Sequence, residues 1–128
     1  MIFNSLRINN YRAYYGECNF DFAIDGERNI SILYADNDVG KSCFFSAILF
    51  CLYGPKDSDD LKDLINVNAQ SEKCYHAAVS LFVENGSDKI EISRTIDLRG
   101  KLEATPSSKD FKCTLELIKN DVPLSSQE

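Results

Sequence analysis

The stretch from Asn29 to Tyr53 constrains the fold more than any other part of the chain. It begins with Asn29-Ile-Ser-Ile-Leu-Tyr-Ala35, a near-continuous apolar run of the kind that suits a strand buried on both faces, as in the parallel sheet of an α/β protein. A polar segment follows, Asp36 to Ser42, containing Gly40. Lys41 to Tyr53 then reads as a helix that is apolar almost all round, with Cys43, Phe44, Phe45, Ala47, Ile48, Leu49, Phe50, Cys51 and Leu52. Such a helix is expected to be buried rather than to lie on a surface. Gly54-Pro55 stops it.

The loop in this strand–loop–helix unit carries the chemistry. Ala35-Asp36-Asn37-Asp38-Val39-Gly40-Lys41-Ser42 follows the phosphate-binding pattern G-x-x-x-x-G-K-[ST], in the context that pattern requires. Backbone N–H groups at the start of the helix point at phosphates, and the helix dipole favours negative charge there. Lys41 is expected to reach the β- and γ-phosphates, and the Ser42 hydroxyl to hold Mg²⁺. Gly40 lets the backbone come close without a Cβ. The candidate nucleotide-binding residues are therefore Asn37, Asp38, Val39, Gly40, Lys41, Ser42 and Cys43, with ATP and Mg²⁺ as the expected cofactors. Asn37 either turns its side chain toward the γ-phosphate or satisfies the loop backbone. Two positions depart from the pattern. Ala35 stands where glycine is usual, and Asp38 puts a carboxylate near the phosphates, at a Coulomb cost unless it points away or meets a cation.

Around this unit the pattern is that of strands. Residues 2–9 and 17–24 alternate and, linked by Tyr11 to Gly16, predict a hairpin. Residues 56–72 are charged and irregular, with a short helix expected at Asp60 to Ile65. From Tyr75 the period returns to two: Ala77, Val79, Leu81 and Val83 form one face of a strand. Asn85-Gly86-Ser87 is a hairpin turn, Ile90, Ile92 and Ile96 continue the next strand, and Arg99-Gly100 turns again. Phe111 to Lys119 is read as the last strand, with Asn120-Asp121 as its turn and Leu124 to Glu128 as a tail. The fold class expected is α/β, a lobe of a P-loop NTPase with an added antiparallel sheet over about 74–119.

Composition narrows the remaining options. The 128 residues are 44% apolar and 27% charged, as in one soluble domain. The longest apolar run is too short to span a membrane, and the N-terminus lacks the pattern of a secretory signal, so the cytoplasm is the expected compartment. Residues 1–64 hold 6 basic and 10 acidic residues and residues 65–128 hold 8 and 10, for a net charge of −6. Neither half has the basic stripe of a stand-alone nucleic-acid binder. The cysteines at 18, 43, 51, 74 and 113 lack zinc-knuckle spacing and are read as free thiols. His76, the single histidine, has no ligand partner at useful spacing and is read as structural.

The opening Met-Ile-Phe-Asn-Ser-Leu-Arg-Ile-Asn-Asn-Tyr-Arg-Ala-Tyr-Tyr-Gly resembles the I-x-N-F-R-x-F/Y-x-G start of SMC, SbcC and RecF type ATPases. Asn37 with Gly40-Lys41-Ser42 is similar to their G-x-N-x-x-G-K-S/T loop, and Leu52-Tyr53-Gly54 to the end of their A-I-x-x-A-L-Y-G helix. Leu64-Ile65, Ala78 to Phe82 and Ile92-Ser93-Arg94 resemble L-I-x-x-G, A-x-V-x-L-x-F and I-x-R. Within the group the resemblance is greatest to DndD-like ATPases of bacterial DNA phosphorothioation and antiphage defence, whose final N-lobe strand Leu115 to Leu124 also fits. The resemblance implies an ATPase head split into two lobes by a coiled coil. Residues 1–128 correspond to the N-terminal lobe. The signature motif, the Asp-Glu pair and the switch histidine belong to a C-terminal lobe, so no catalytic residue is expected here and this piece alone is expected to be inactive. The resemblance also implies Arg12 beside the nucleotide, against the plainer reading of a solvated turn arginine. Its implied partners are ATP, DNA through the full assembly, the C-terminal lobe, a second protomer and defence-system proteins, with no membrane. An OLD-type ATPase-nuclease lobe and a non-catalytic nucleotide-binding module are the alternatives.

Overall fold

The structure, a computed structural model, describes residues 2–22, 38–56, 60–100 and 106–127, with the side chains of 38–41, 108 and 125–127 excepted. The predicted strand 29–35 and the loop positions Ala35, Asp36 and Asn37 lie outside the described residues.

The chain forms β1 (Ile2–Asn9), β2 (Glu17–Asp21), α1 (Asp38–Tyr53), a 3₁₀ turn (Leu61–Leu64) and α2 (Val67–Ser71). It continues with β3 (Ala77–Asn85), β4 (Asp88–Leu98), a second 3₁₀ turn (Ser108–Asp110), β5 (Phe111–Lys119) and β6 (Val122–Gln127). The strands make one six-stranded sheet in the order β2-β1-β3-β4-β5-β6. Every neighbouring pair is antiparallel. The predicted hairpin and the predicted meander are thus one sheet, because β1 pairs with β3 and joins them.

The register explains the alternation. Leu6 faces Leu81, Leu81 faces Ile92 and Ile92 faces Leu117; one step along, Ile8 faces Val79. Since side chains alternate across a strand, these residues line one face. Leu6, Ile8, Val79, Leu81 and Ile96 are fully buried there, and α1 covers them with Phe44, Ala47, Phe50 and Cys51.

Four expectations need correction. Helix α1 starts at Asp38, not Lys41. It is not buried all round: Phe45, Leu49 and Tyr53 are 61%, 52% and 79% exposed. Those residues recur every fourth position, on the side turned away from the sheet, which can cover only one side of a helix. A short helix, α2, follows the 3₁₀ turn; Asn66 caps it by accepting a hydrogen bond from Ala69 N–H at 3.1 Å. Phe111–Lys119 is not the last strand, because Asn120 and Asp121, at φ +50° and +66°, turn the chain into β6. Asparagine and aspartate tolerate such angles better than other residues, which is why that turn was readable. Among the described residues no helix is long and apolar enough to cross a membrane.

Candidate functional site

Helix α1 places Gly40, Lys41 and Ser42 in its opening turns. The leading N–H groups of a helix have no partner within it, and their dipoles sum toward the N-terminus. The backbone of Asp38, Val39, Gly40 and Lys41 therefore supplies the donors and the partial positive charge that an anion needs. Ser42 is exposed, so its hydroxyl is accessible at this end of the helix. Cys43 is buried, so what it turns toward this end of the helix is its backbone rather than its thiol.

Arg12 sits in the β1–β2 turn, which is packed against the same end of α1. Tyr11 is buried and its hydroxyl hydrogen-bonds the Ser46 hydroxyl at 2.8 Å, one helical turn beyond Ser42. The Tyr11 ring also meets Phe50 at 5.2 Å between centroids. Tyr14 lies near Cys43 and Cys18; burial first, then those two thiols, raise its hydroxyl pKa above the usual tyrosine value. Phe20 stands edge-on to Phe44 at 5.1 Å. These contacts pack Tyr11 into the core and set Tyr14 against it, edge-on to Phe20. Arg12 itself is exposed, with its guanidinium 5.7 Å from the centre of the Tyr11 ring.

A family model described as an AAA domain matches residues 5–123, nearly the whole chain. The chain belongs to the AAA domain family. It is thus a P-loop, ATPase-type nucleotide-binding domain. The chain is also similar to uncharacterized protein R555 of Acanthamoeba polyphaga mimivirus, at 31% identity over 96 residues. That match covers 75% of this chain and 7% of the viral protein's length.

The far end of α1 in this AAA domain is held by a pair the sequence left unconnected. Gly54 closes the helix at φ +81°, its N–H donating to the Phe50 carbonyl at 2.8 Å. Arg94 on β4 donates from Nε to the Cys51 carbonyl at 3.1 Å. Helix α1 has no basic residue in its own last turn, so Arg94 brings the cation that its negative end favours. A Cβ on residue 54 would lie 3.1 Å from Arg94 Nη1. The two motif ends Leu52-Tyr53-Gly54 and Ile92-Ser93-Arg94 are therefore one structural unit.

The other candidates resolve as follows. His76 Nδ1 lies 2.6 Å from Asp97 Oδ1 across the β3–β4 pairing, a structural contact. No group of three or more His, Cys, Asp and Glu side chains able to hold a metal exists among the described residues. All five cysteines are free. Cys51 is fully buried and donates to the Ile92 and Val79 carbonyls at 3.1 and 3.6 Å; burial pushes its thiol up to about 12, against small opposing effects of a backbone hydrogen bond and Arg94. A cleft of about 380 Å³ opens by the β3–β4 and β5–β6 turns, lined by Phe82, Lys89, Glu91, Ile118 and others, and contains none of the predicted site residues. Sequence reasoning did not single out Ser46 or Asn66, and it placed Asn10 and Arg94 within matched motifs without a role for either. Asn66 carried a local signal as an N-cap residue type, whereas Ser46 and Arg94 act through partners 35 and 43 positions away.

Proposed function

We propose that this chain is the ATP-binding N-terminal lobe of an SMC-like ATPase acting on DNA, in repair, restriction or antiphage defence. The observation that carries the reading is the helix that opens with Gly40-Lys41-Ser42, tied through Ser46 to Tyr11, the neighbour of the exposed Arg12. Phosphoryl transfer asks a protein mainly for positioning and charge neutralisation. The amides of α1 and Lys41 would bind and orient the phosphates, Ser42 would hold Mg²⁺, and Arg12 would add a second cation at the rim. Mg²⁺, when bound there, would supply positive charge to offset that of the phosphates. The attacking-water residue would come from a C-terminal lobe. Phe45, Leu49 and Tyr53 support that division, because an exposed apolar stripe on a central helix suits a second layer packed over it. With a net charge of −6, DNA contact would fall to other parts of the assembly or to its partner proteins. The protein would work in the cytoplasm and as a dimer.

The test is ATP titration and hydrolysis with the full-length protein and its Lys41→Ala variant. The expected result is loss of measurable ATP binding in the variant. Equal affinity in both proteins would remove Lys41 from the site and overturn the proposal. A non-catalytic nucleotide-binding module is a second reading, favoured by Asp38: an acidic residue at a helix start is stabilised by the same dipole that would attract phosphate. Lys41-dependent binding without turnover, with DNA present or absent, would select it.

A further inference from the structure

The β1–β2 turn is built more rigidly than a connecting turn requires. Two of its non-glycine residues are left-handed, Asn10 at φ +51° and Arg12 at φ +48°. Asparagine accepts this region; for arginine it costs about 1–2 kcal/mol. Such strain persists only where the surroundings over-determine the backbone, and here they do. Arg12 N–H donates to the Leu64 carbonyl at 2.8 Å. Asn66 Nδ2 donates to the Arg12 carbonyl at 2.8 Å, and Asn66 N–H donates to the Asn10 carbonyl at 2.8 Å. Asn10 Oδ1 accepts from Gly16 N–H at 2.8 Å, closing the turn on itself. Tyr15 hydroxyl donates to the Glu72 carboxylate at the end of α2. Asn10 and Asn66 are the buried polar residues of the described core.

The peptide groups on both sides of Arg12 are therefore gripped by the 64–66 segment, while its guanidinium stays exposed over Tyr11. Asn66 does this with the same side chain that caps α2, so the helix cap and the arginine mount are one residue. An arginine side chain loses about 2 kcal/mol of rotamer entropy when it is immobilised. A backbone fixed in advance, with an aromatic ring beneath the cation, reduces the part of that cost met on binding.

We propose that Asn66 is a positioning residue for nucleotide binding: it holds Arg12 in the left-handed conformation that aims its guanidinium at the phosphates bound by α1. The inference rests on the phosphate-binding reading of α1 and deepens it, by making the segment between the 3₁₀ turn and α2 the support of the second cation.

A double-mutant cycle on the full-length protein tests it, with ATP affinity as the readout. Asn66→Ser keeps a good helix cap but is too short to reach the Arg12 carbonyl. Asn66→Asp keeps the cap acceptor and sets a carboxylate against that carbonyl, and serves if the serine variant fails to fold. Arg12→Ala is expected to weaken ATP binding about tenfold, the usual scale of a charge-assisted contact. Asn66→Ser is expected to weaken it about threefold to tenfold alone, and by less than about twofold in the Arg12→Ala background, because coupled residues are non-additive. A purely structural Asn66 would produce the same loss in both backgrounds, and that result would overturn the proposal. So would Lys41-dependent ATP binding that Arg12→Ala leaves unchanged, a result that spares the phosphate-loop reading. Absence of ATP binding by the wild-type protein would overturn both.

Discussion

Gly54→Ala isolates how helix α1 is anchored at its far end. Two costs act at once. Alanine at φ +81° adopts the left-handed region against the clash of its Cβ, at about 1–2 kcal/mol. Its Cβ would also stand 3.1 Å from Arg94 Nη1 and 3.3 Å from Cζ, so the guanidinium must shift. That shift strains or breaks the Arg94 hydrogen bond to the Cys51 carbonyl, in which a charged donor meets a helix end. Such bonds are worth about 1.5–3 kcal/mol, and Arg94 is only half-buried, so the lower figure applies. With the bond strained rather than lost, the sum is about 1.5–3.5 kcal/mol of lost stability, measured as a shift in the urea unfolding midpoint at constant slope. The reasoning makes a second demand. In an Arg94→Met background the steric part disappears, and Gly54→Ala should cost only about 1–2 kcal/mol, the backbone share. Equal costs in the two backgrounds would show that Arg94 does not meet residue 54. A cost under about 0.5 kcal/mol in the wild type would refute the backbone argument as well.

Three further outcomes follow from the same structure. Cys51 should resist alkylation in the native chain while the exposed Cys74 reacts, read by mass spectrometry of the labelled peptides. Because the folded state keeps the Cys51 proton to about pH 12 and the unfolded thiol releases it near 9.0, the unfolded state binds fewer protons in between. Stability should therefore fall as pH rises above 9, by roughly 1.4 kcal/mol per unit from this group, and Cys51→Ala should flatten that slope in alkaline unfolding titrations. Tyr11→Phe deletes the hydroxyl that meets Ser46 and should cost about 0.5–1.5 kcal/mol, checked by thermal unfolding with and without Ser46→Ala.

The parts of the fold legible in the sequence were those governed by local rules. Alternation placed Ala77, Val79, Leu81 and Val83 on one face of β3, and all are buried. Gly86 at φ +66°, first in a two-residue loop, made the β3–β4 turn visible. Gly54 marked the end of α1 because a left-handed residue is what a helix terminus uses. What was not legible depended on partners distant in the chain. The apolar face of α1 could not be divided into covered and uncovered sides until the sheet lay against Phe44, Ala47 and Cys51. β6 reads as a tail because its pairing is set by β5 and by the Asn120-Asp121 turn, not by its own Pro-Leu-Ser-Ser composition. At the candidate site, motif matching singled out Gly40-Lys41-Ser42 and Arg12 but not Ser46 or Asn66. Their roles exist only where the turn, the helix and the connector meet.

That meeting point bears on how the domain is organised. A helix carrying apolar residues on two sides is stable only between two layers, since one sheet buries one stripe. Here the antiparallel sheet takes the Phe44–Ala47–Cys51 side, and Phe45, Leu49 and Tyr53 remain for a second layer. The ties at the two ends of α1 both come from the sheet side: Tyr11 to Ser46 near the start, Arg94 to Cys51 at the end. The helix is therefore referenced to the antiparallel sheet before any second layer is added. A lobe joining on the open side would find the turn that opens α1 and the turn that carries Arg12 already in place. Its own contribution could then be confined to burying the stripe and supplying the residues that act on water, which is the division of labour proposed above for an N-terminal and a C-terminal lobe.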